Sequence, residues 1–345
     1  MSTTLLHDKL HCLDPEYYTE DRVAPLAASI ERIRRLKRER NAVVLAHNYQ
    51  RPEIFEIADF MGDSLGLSLQ AAQVRDAEVI VFCGVHFMAE TAKIVNPSKT
   101  VLLPNLAAGC SLADTATGPD VAARAAELRK TYPDLQVVTY VNTTADVKAQ
   151  SDACCTSSNA VSVVRSLESQ HILFVPDQNL ARHVARHVPD KTVIAWDGYC
   201  YVHHQITPET VQTMRRQIPG IKILVHPECR DDVVALADAA LSTSGMVEYA
   251  QQSAATNFLA VTECGLSDLL QISVPDKNFY RACKICRFMK AISMDDVEQA
   301  LLKMQFEITI DEPVRSRARH ALERMFELTG ERRDDLTLPD GVANE

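Results

Sequence analysis

The sequence predicts an α/β protein built as three homologous three-layer αβα subdomains, each with a parallel sheet, around a pseudo-threefold axis. Three observations carry this expectation. Short β-branched runs alternate with amphipathic stretches, the pattern of buried parallel strands joined by crossover helices. The alternation repeats three times at about 90 residues, longer than the ~20–50 residues of solenoid units. The copies also agree at five separate registers.

The strands set the frame. "NAVVLAHNYQ" (41–50), "LQVVTYVNTT" (135–144) and "IKILVHPECR" (221–230) each read as a buried strand ending in a polar loop. "LAASIERIRRLKRE", "VAARAAELRKTYP" and "ETVQTMRRQIP" precede them as helices. Aligned on these strands, His47, Tyr140 and His226 share the strand-end position. Seventeen residues later stand Ser64, Ser157 and Thr243, and five before each hydroxyl is an aspartate: Asp59, Asp152 and Asp238. Fifteen residues after each hydroxyl a new apolar strand begins, "VIVFCG", "ILFVPD" and "FLAVTE". "NPSKTVLLP", "VPDKTVIAW" and "VPDKNFYRA" follow as the third strand segments. The boundaries are an N-terminal extension at 1–20, repeats at 21–118 and 119–206, a third repeat plus C-terminal helices at 207–330, and a tail at 331–345.

Most of the ten cysteines read as buried thiols of a reducing compartment. Three do not. Cys200 lies 43 residues after Ser157 and Cys286 lies 43 after Thr243, while Cys110 lies 46 after Ser64, a small insertion in the first copy. Subdomains related by a threefold axis bring equivalent residues together. In open parallel sheets, the loops at the carboxyl ends of the strands form the crevice. One crevice with three thiolates at its base follows. Three thiolates with no histidine at that register suit a [4Fe–4S] cluster whose fourth iron stays open as a Lewis acid. Zinc on three cysteines and a water competes, with His203 or His204 closing such a site as a fourth ligand.

Around those sulfurs, Ser64, Ser157 and Thr243 stand where helices start, so N-capping is expected to be part of their role. Three helix ends on one crevice would offer N–H groups to a carboxylate or phosphate. His47, His226 and Glu228 are candidates for proton transfer, Tyr49 and Tyr140 for donors, and Asn142 for an amide at the same rim. Asp59, Asp152 and Asp238 are expected in packing or turns, and Lys93 on a solvated helix face.

Composition excludes other classes. The 345 residues are 46% hydrophobic and 24% charged, enough for a substantial core. A net charge of −10 argues against nucleic acid as a partner. The start lacks the basic and apolar regions of a signal peptide, and no apolar run reaches the ~20 residues of a membrane span. A cytoplasmic protein with no membrane partner is expected.

The segments "LAHNYQRPE", "GDSL", "GVHFMAETAKIVNP", "YVNTTADVK", "CTSSNAV", "VHPEC" and "CRFMK" together resemble quinolinate synthase, the A protein of bacterial NAD biosynthesis, over residues 25–330. The resemblance implies a transferase that condenses iminoaspartate (iminosuccinate) with dihydroxyacetone phosphate to give quinolinate, phosphate and water. It implies one oxygen-sensitive [4Fe–4S] cluster on Cys110, Cys200 and Cys286. It also implies substrate-binding positions at His47, Ser64, Tyr140, Asn142, Ser157, His226, Glu228 and Thr243. Tyr49 matches the tyrosine of the family's H-x-Y, and His203 matches its histidine three residues beyond the second ligand. Functional links to an L-aspartate oxidase, which would supply the labile imine, and to the iron–sulfur assembly machinery follow. Some members carry C-x-x-C-x-x-C around the third ligand, where this chain has only Cys283 and Cys286. A reversible Cys283–Cys286 disulfide is therefore expected when no cluster is bound. A cluster hydro-lyase or a diphthamide-type radical enzyme would share the thiolates, and an electron carrier would want a fourth cysteine.

Overall fold

A computed structural model describes residues 3–330. Each third of the chain forms one four-stranded sheet. In the first, β1 (Ala42–His47), β2 (Phe60–Gly62), β3 (Val79–Cys83) and β4 (Thr100–Leu102) lie in the order 2-1-3-4. The second sheet comprises β5 (Gln136–Tyr140), β6 (Ala153–Cys155), β7 (His171–Val175) and β8 (Thr192–Ala195), ordered 6-5-7-8. The third comprises β9 (Lys222–Val225), β10 (Ala239–Ala240), β11 (Asn257–Val261) and β12 (Asn278–Arg281), ordered 10-9-11-12. Every pairing is parallel, and helices flank the sheets, as expected for three αβα subdomains.

Helices over a sheet leave its central strands no wet face, which explains why β3, "VIVFC", is buried at every position. The short second strands were not legible. With two or three residues each at a sheet edge, β2, β6 and β10 carry too few residues for any period. The cysteine segments consequently follow the fourth strand of each sheet, not the third.

Two devices recur in all three copies. The Asp59 carboxylate accepts the Val44 N–H at 2.7 Å, while the Asp59 N–H donates to the Val44 carbonyl at 2.9 Å. Asp152 does the same with Val137 (2.6 and 2.8 Å) and Asp238 with Ile223 (2.9 and 2.8 Å). These aspartates staple the start of each second strand to its neighbour, a specific form of the expected packing role. Lys99 reaches the carbonyls of Arg75 and Ala77, Lys191 those of Leu167 and Ser169, and Lys277 those of Ala250 and Ser253. Each ammonium thereby satisfies carbonyls at or just beyond the C-terminal end of the crossover helix, where cations are favoured. Lys93 donates to the Lys99 carbonyl and lies 3.3 Å from Glu307.

The terminal segments join the sheets. In the helix Thr3–His11, Leu6 and Leu10 are buried, and the helix packs on the helix Glu20–Glu39. The Tyr18 hydroxyl donates to Glu53 at 2.5 Å. The helix Met294–Lys303 also packs on Glu20–Glu39, and the helix Glu312–Thr329 lies across elements of the first and second copies. The expected tail, 331–345, lies outside the described residues. Among the described residues no helix is long and apolar enough to cross a membrane.

One expectation is overturned. Cys283 is bonded to Cys264, not to Cys286, which is a free thiol. A bridge between Glu263 and Lys284, with the Cys264 N–H donating to the Lys284 carbonyl at 3.3 Å, aligns the two loops. It sets the Cys264 and Cys283 Cα atoms 5.1 Å apart, a span that a disulfide closes readily.

Candidate active site

In each sheet the chain leaves the first strand in one direction and returns to the other side, so a crevice opens at the carboxyl ends there. The three crevices merge into one cavity, with about 640 Å³ of empty space when its open mouth is included. His47, Tyr49, Ser64, Cys110, Tyr140, Asn142, Ser157, Cys200, His203, His226, Glu228, Thr243 and Cys286 all line it. These are the residues singled out in the sequence, drawn from all three copies. Cys83, Cys154, Cys155 and Cys229 are instead buried in the cores.

The three free thiols share surroundings. Burial pushes Cys110 up to about 12 and raises Cys200 and Cys286 as well. Cys286 adds to the rise at Cys110, and Cys110 to that at Cys200, so the sulfurs sense one another's charge. Backbone N–H groups oppose it: those of Leu112 and Ala113 point at the Cys110 sulfur, that of His203 at Cys200, and those of Phe288 and Met289 at Cys286. Each sulfur is thus met by amides two or three residues further on. Cys200, His203 and Glu228 also offer ligand atoms within 4.8 Å of one another. His204 does not join them: its ring stacks on Tyr199 at 4.3 Å.

A chain of polar contacts crosses the cavity. The Tyr140 hydroxyl donates to Glu228 Oε1 at 2.6 Å, and Glu228 Oε2 lies 3.0 Å from His203 Nδ1. His203 Nε2 is 2.9 Å from the Thr262 hydroxyl, which is 2.5 Å from the Tyr49 hydroxyl. Tyr140 and His203 come from the second copy, Glu228 and Thr262 from the third, Tyr49 from the first. Burial would raise the Glu228 carboxyl, but His203, His226 and the Tyr140 hydroxyl outweigh it and hold the group well below the usual range. Burial and that anion raise both tyrosines.

His47 and His226 are built alike. The Tyr49 N–H donates to His47 Nδ1 at 3.1 Å and the Glu228 N–H to His226 Nδ1 at 3.4 Å. Burial holds His47 down at about 4 and His226 at about 3. Both rings are therefore neutral at pH 7, with the proton on Nε2. His226 stacks on His203 with ring centroids 4.6 Å apart.

The hydroxyls do not cap. Asp63 precedes the helix Ser64–Gln73 and accepts the Gly66 N–H at 2.9 Å, and Ser242 precedes Thr243–Gln252 and accepts the Gly245 N–H at 3.3 Å. In the second copy Asn159 holds the cap position, two residues beyond Ser157. Since the preceding side chain reaches the exposed N–H, Ser64 and Thr243 stand at the first helical position, beside the cavity. Thr243 accepts from Asn48 Nδ2 at 3.0 Å. Asn142 Oδ1 is buried without a protein partner, so its donor comes from a water or a bound molecule.

The family described as Quinolinate synthetase A protein matches residues 31–327. This chain belongs to that family. It is 48% identical over 306 residues to a quinolinate synthase of Sinorhizobium medicae (strain WSM419), covering 88% of this chain and 84% of that protein. It is 50% identical over 305 residues to one of Thermodesulfovibrio yellowstonii (strain ATCC 51303 / DSM 11347 / YP87), covering 87% and 98%. A quinolinate synthase of Xylella fastidiosa (strain 9a5c) is 48% identical over 298 residues, covering 86% of each chain.

Within this quinolinate synthase fold, polar residues at the site that escaped the sequence reading include Thr262, Asp177 and Glu263, besides Asp63 and Thr156 in the cavity lining. Thr262 and Glu263 follow β11 directly and Asp177 follows β7 by one proline. Alignment of the strands ending at Cys83, Val175 and Val261 places Val85, Asp177 and Glu263 at one register, a signal available in the sequence but diluted by the valine. Among the described residues lining the cavity there is no lysine or arginine. Any anion held there meets hydroxyls, imidazole and amide N–H groups.

Proposed function

We propose that this protein is a quinolinate synthase in the full sense: it condenses iminoaspartate with dihydroxyacetone phosphate to quinolinate, releasing phosphate and water, for NAD biosynthesis. Cys110, Cys200 and Cys286 would hold one [4Fe–4S] cluster. The observation that supports this best is the convergence of these three thiols, one per copy, on the cavity that also gathers the proton-transfer groups. The donor set fits the cluster: all sulfur, three in number, each faced by backbone N–H groups able to carry anionic charge. It fits zinc less well, because His203 Nε2 is already taken by Thr262 and its Nδ1 faces Glu228. When bound, the cluster supplies Lewis acidity through the iron that lacks a cysteine.

The chain's own residues supply the rest. Hydroxyls of Ser64, Ser157 and Thr243 hold carboxylate and phosphate oxygens, helped by N–H groups at the starts of the helices Ser64–Gln73 and Thr243–Gln252. Asn142 Oδ1 accepts a hydroxyl or imine N–H of the substrates. Neutral His47 and His226 donate from Nε2 to developing oxyanions. Glu228, held as the anion, accepts the Tyr140 hydroxyl and orients it to exchange a proton with the substrate during enolisation and dehydration, and the His203–Thr262 link carries the same orientation to Tyr49. A cytoplasmic setting and supply of the imine by an L-aspartate oxidase belong to the same reading.

The test is anaerobic purification, iron and sulfide counts, then a quinolinate assay with both substrates. About four irons per chain and quinolinate formation are expected. Cys110→Ala, Cys200→Ala or Cys286→Ala should abolish both, while Cys229→Ala, in the third core, should spare both. The reverse pattern would sink the assignment.

A further inference from the structure

The cysteine loops are docked in the same way in every copy. The N–H groups of His86, Gln178 and Cys264 donate to the carbonyls of Ala108, Gly198 and Lys284 at 2.8, 2.7 and 3.3 Å. Each carbonyl lies two residues before its cysteine: Cys110, Cys200 or Cys286. One residue before each of those N–H donors the copies diverge, to Val85, Asp177 and Glu263.

In the second copy, fully buried Asp177 accepts the Cys200 N–H on Oδ2 at 3.1 Å and the Leu180 N–H on Oδ1 at 2.7 Å. In the third, Glu263, 1% exposed, accepts the Cys286 N–H on Oε1 at 3.0 Å and the Gly265 N–H on Oε2 at 2.6 Å. Both carboxylates stand 23 residues before their cysteine. Glu263 is further fixed by Lys290, 3.6 Å away, whose Nζ also donates to the Tyr49 carbonyl at 2.5 Å. The slot is closed: a Cβ on Gly265 would fall 2.9 Å from Glu263 Oε2 and 2.7 Å from the Tyr49 carbonyl. Val85 offers no acceptor, so the first copy has no such clamp.

We propose that Asp177 and Glu263 are positioning residues, each fixing the backbone of one cluster cysteine, Cys200 and Cys286, while Cys110 is held by its loop alone. This rests on the reading that the three cysteines carry the cluster. A carboxylate that accepts two N–H groups locks both peptide planes. Its amide counterpart keeps one acceptor and turns a donor toward the other N–H, loosening one end of the clamp.

The experiment uses full-length Asp177→Asn and Glu263→Gln. In reduced, cluster-free protein, iodoacetamide labelling of each cysteine is followed by mass mapping at one pH. Asp177→Asn should speed labelling of Cys200 about tenfold and Glu263→Gln that of Cys286, with Cys110 unchanged in both. In anaerobically loaded protein, both variants should lose iron to a chelator faster than wild type. Labelling within twofold of wild type at the clamped cysteine, or equal acceleration of all three, overturns the proposal. Each variant stands alone, so one that fails to fold leaves the other decisive. If wild type takes up no cluster, the functional reading fails, while the labelling pattern still judges the clamps.

Discussion

Glu228→Gln is the substitution to which the site should be most sensitive. The carboxylate is 2% exposed, accepts the Tyr140 hydroxyl at 2.6 Å on one oxygen and has His203 Nδ1 in ion-pair range, 3.0 Å away, at the other. Hydrogen bonds to a charged group contribute about 1.5–3 kcal/mol each. Glutamine retains one acceptor and presents an NH₂ in place of the other, so one bond is lost and the second becomes neutral. A loss of about 2–4 kcal/mol corresponds to about 30- to 1,000-fold in kcat at 1.36 kcal/mol per tenfold. Tyr140→Phe removes a single bond and should cost about 10- to 100-fold. Since the phenol acts through the carboxylate, the double variant should fall little below Glu228→Gln, a coupling of about 1–2 kcal/mol. The assay is anaerobic steady-state quinolinate formation, with iron content measured on each sample. Additive losses, or a Glu228→Gln enzyme with full iron and kcat within threefold of wild type, would refute the relay.

Other consequences are open to test. Ser64→Ala should raise KM while changing stability by less than about 0.5 kcal/mol, whereas Asp63→Ala and Ser242→Ala, which remove the caps, should cost about 1 kcal/mol in urea titrations. Equal destabilisation by Ser64→Ala and Asp63→Ala would contradict the cap assignment. His47 and His226 sit at about 4 and about 3, below the ordinary 6.5, so the unfolded chain binds more protons than the native one in that interval. Their stabilisation is complete above pH 6.5 and declines as pH falls, by about 1.4 kcal/mol per pH unit for each histidine down to its folded value. In cluster-free reduced protein, His47→Gln or His226→Gln should flatten that acid slope, and an unchanged slope would count against buried neutral rings. Asp152→Ala should lower stability by about 1–2 kcal/mol by unpinning the Val137 N–H, with activity per folded molecule unchanged.

The triplication and most of the site were legible because they reside in local strings. Strand ends and hydroxyls recur at fixed spacing and the three cavity cysteines nearly so, and a parallel sheet translates spacing directly into position. Legibility stopped where contacts join loops distant in sequence. The caps could have been placed by reading one residue back, since Asp63 and Ser242 are as good cap formers as the hydroxyls that follow them. The Cys264–Cys283 bond spans 19 residues and depends on the Glu263–Lys284 bridge, which no spacing rule reveals. C-x-x-C proximity suggested the wrong partner for Cys283. Thr262 was invisible for another reason: its hydroxyl matters only because Tyr49 and His203 arrive from two other copies.

Divergence among the copies separates scaffold from chemistry. Positions that hold each sheet together have not changed: Asp59, Asp152 and Asp238 staple second strands, and Lys99, Lys191 and Lys277 cap helices. Facing the cavity, the cysteine and hydroxyl positions are also kept, but others have kept their backbone and exchanged their side chains. Two residues beyond His47, Tyr140 and His226 stand Tyr49, Asn142 and Glu228, a phenol, an amide and a carboxylate at one register. Three like subunits in a ring would present three identical groups there. A single chain can present a donor, an acceptor and a base around the same cavity, and the Tyr140–Glu228–His203–Thr262–Tyr49 chain exists only because the copies differ.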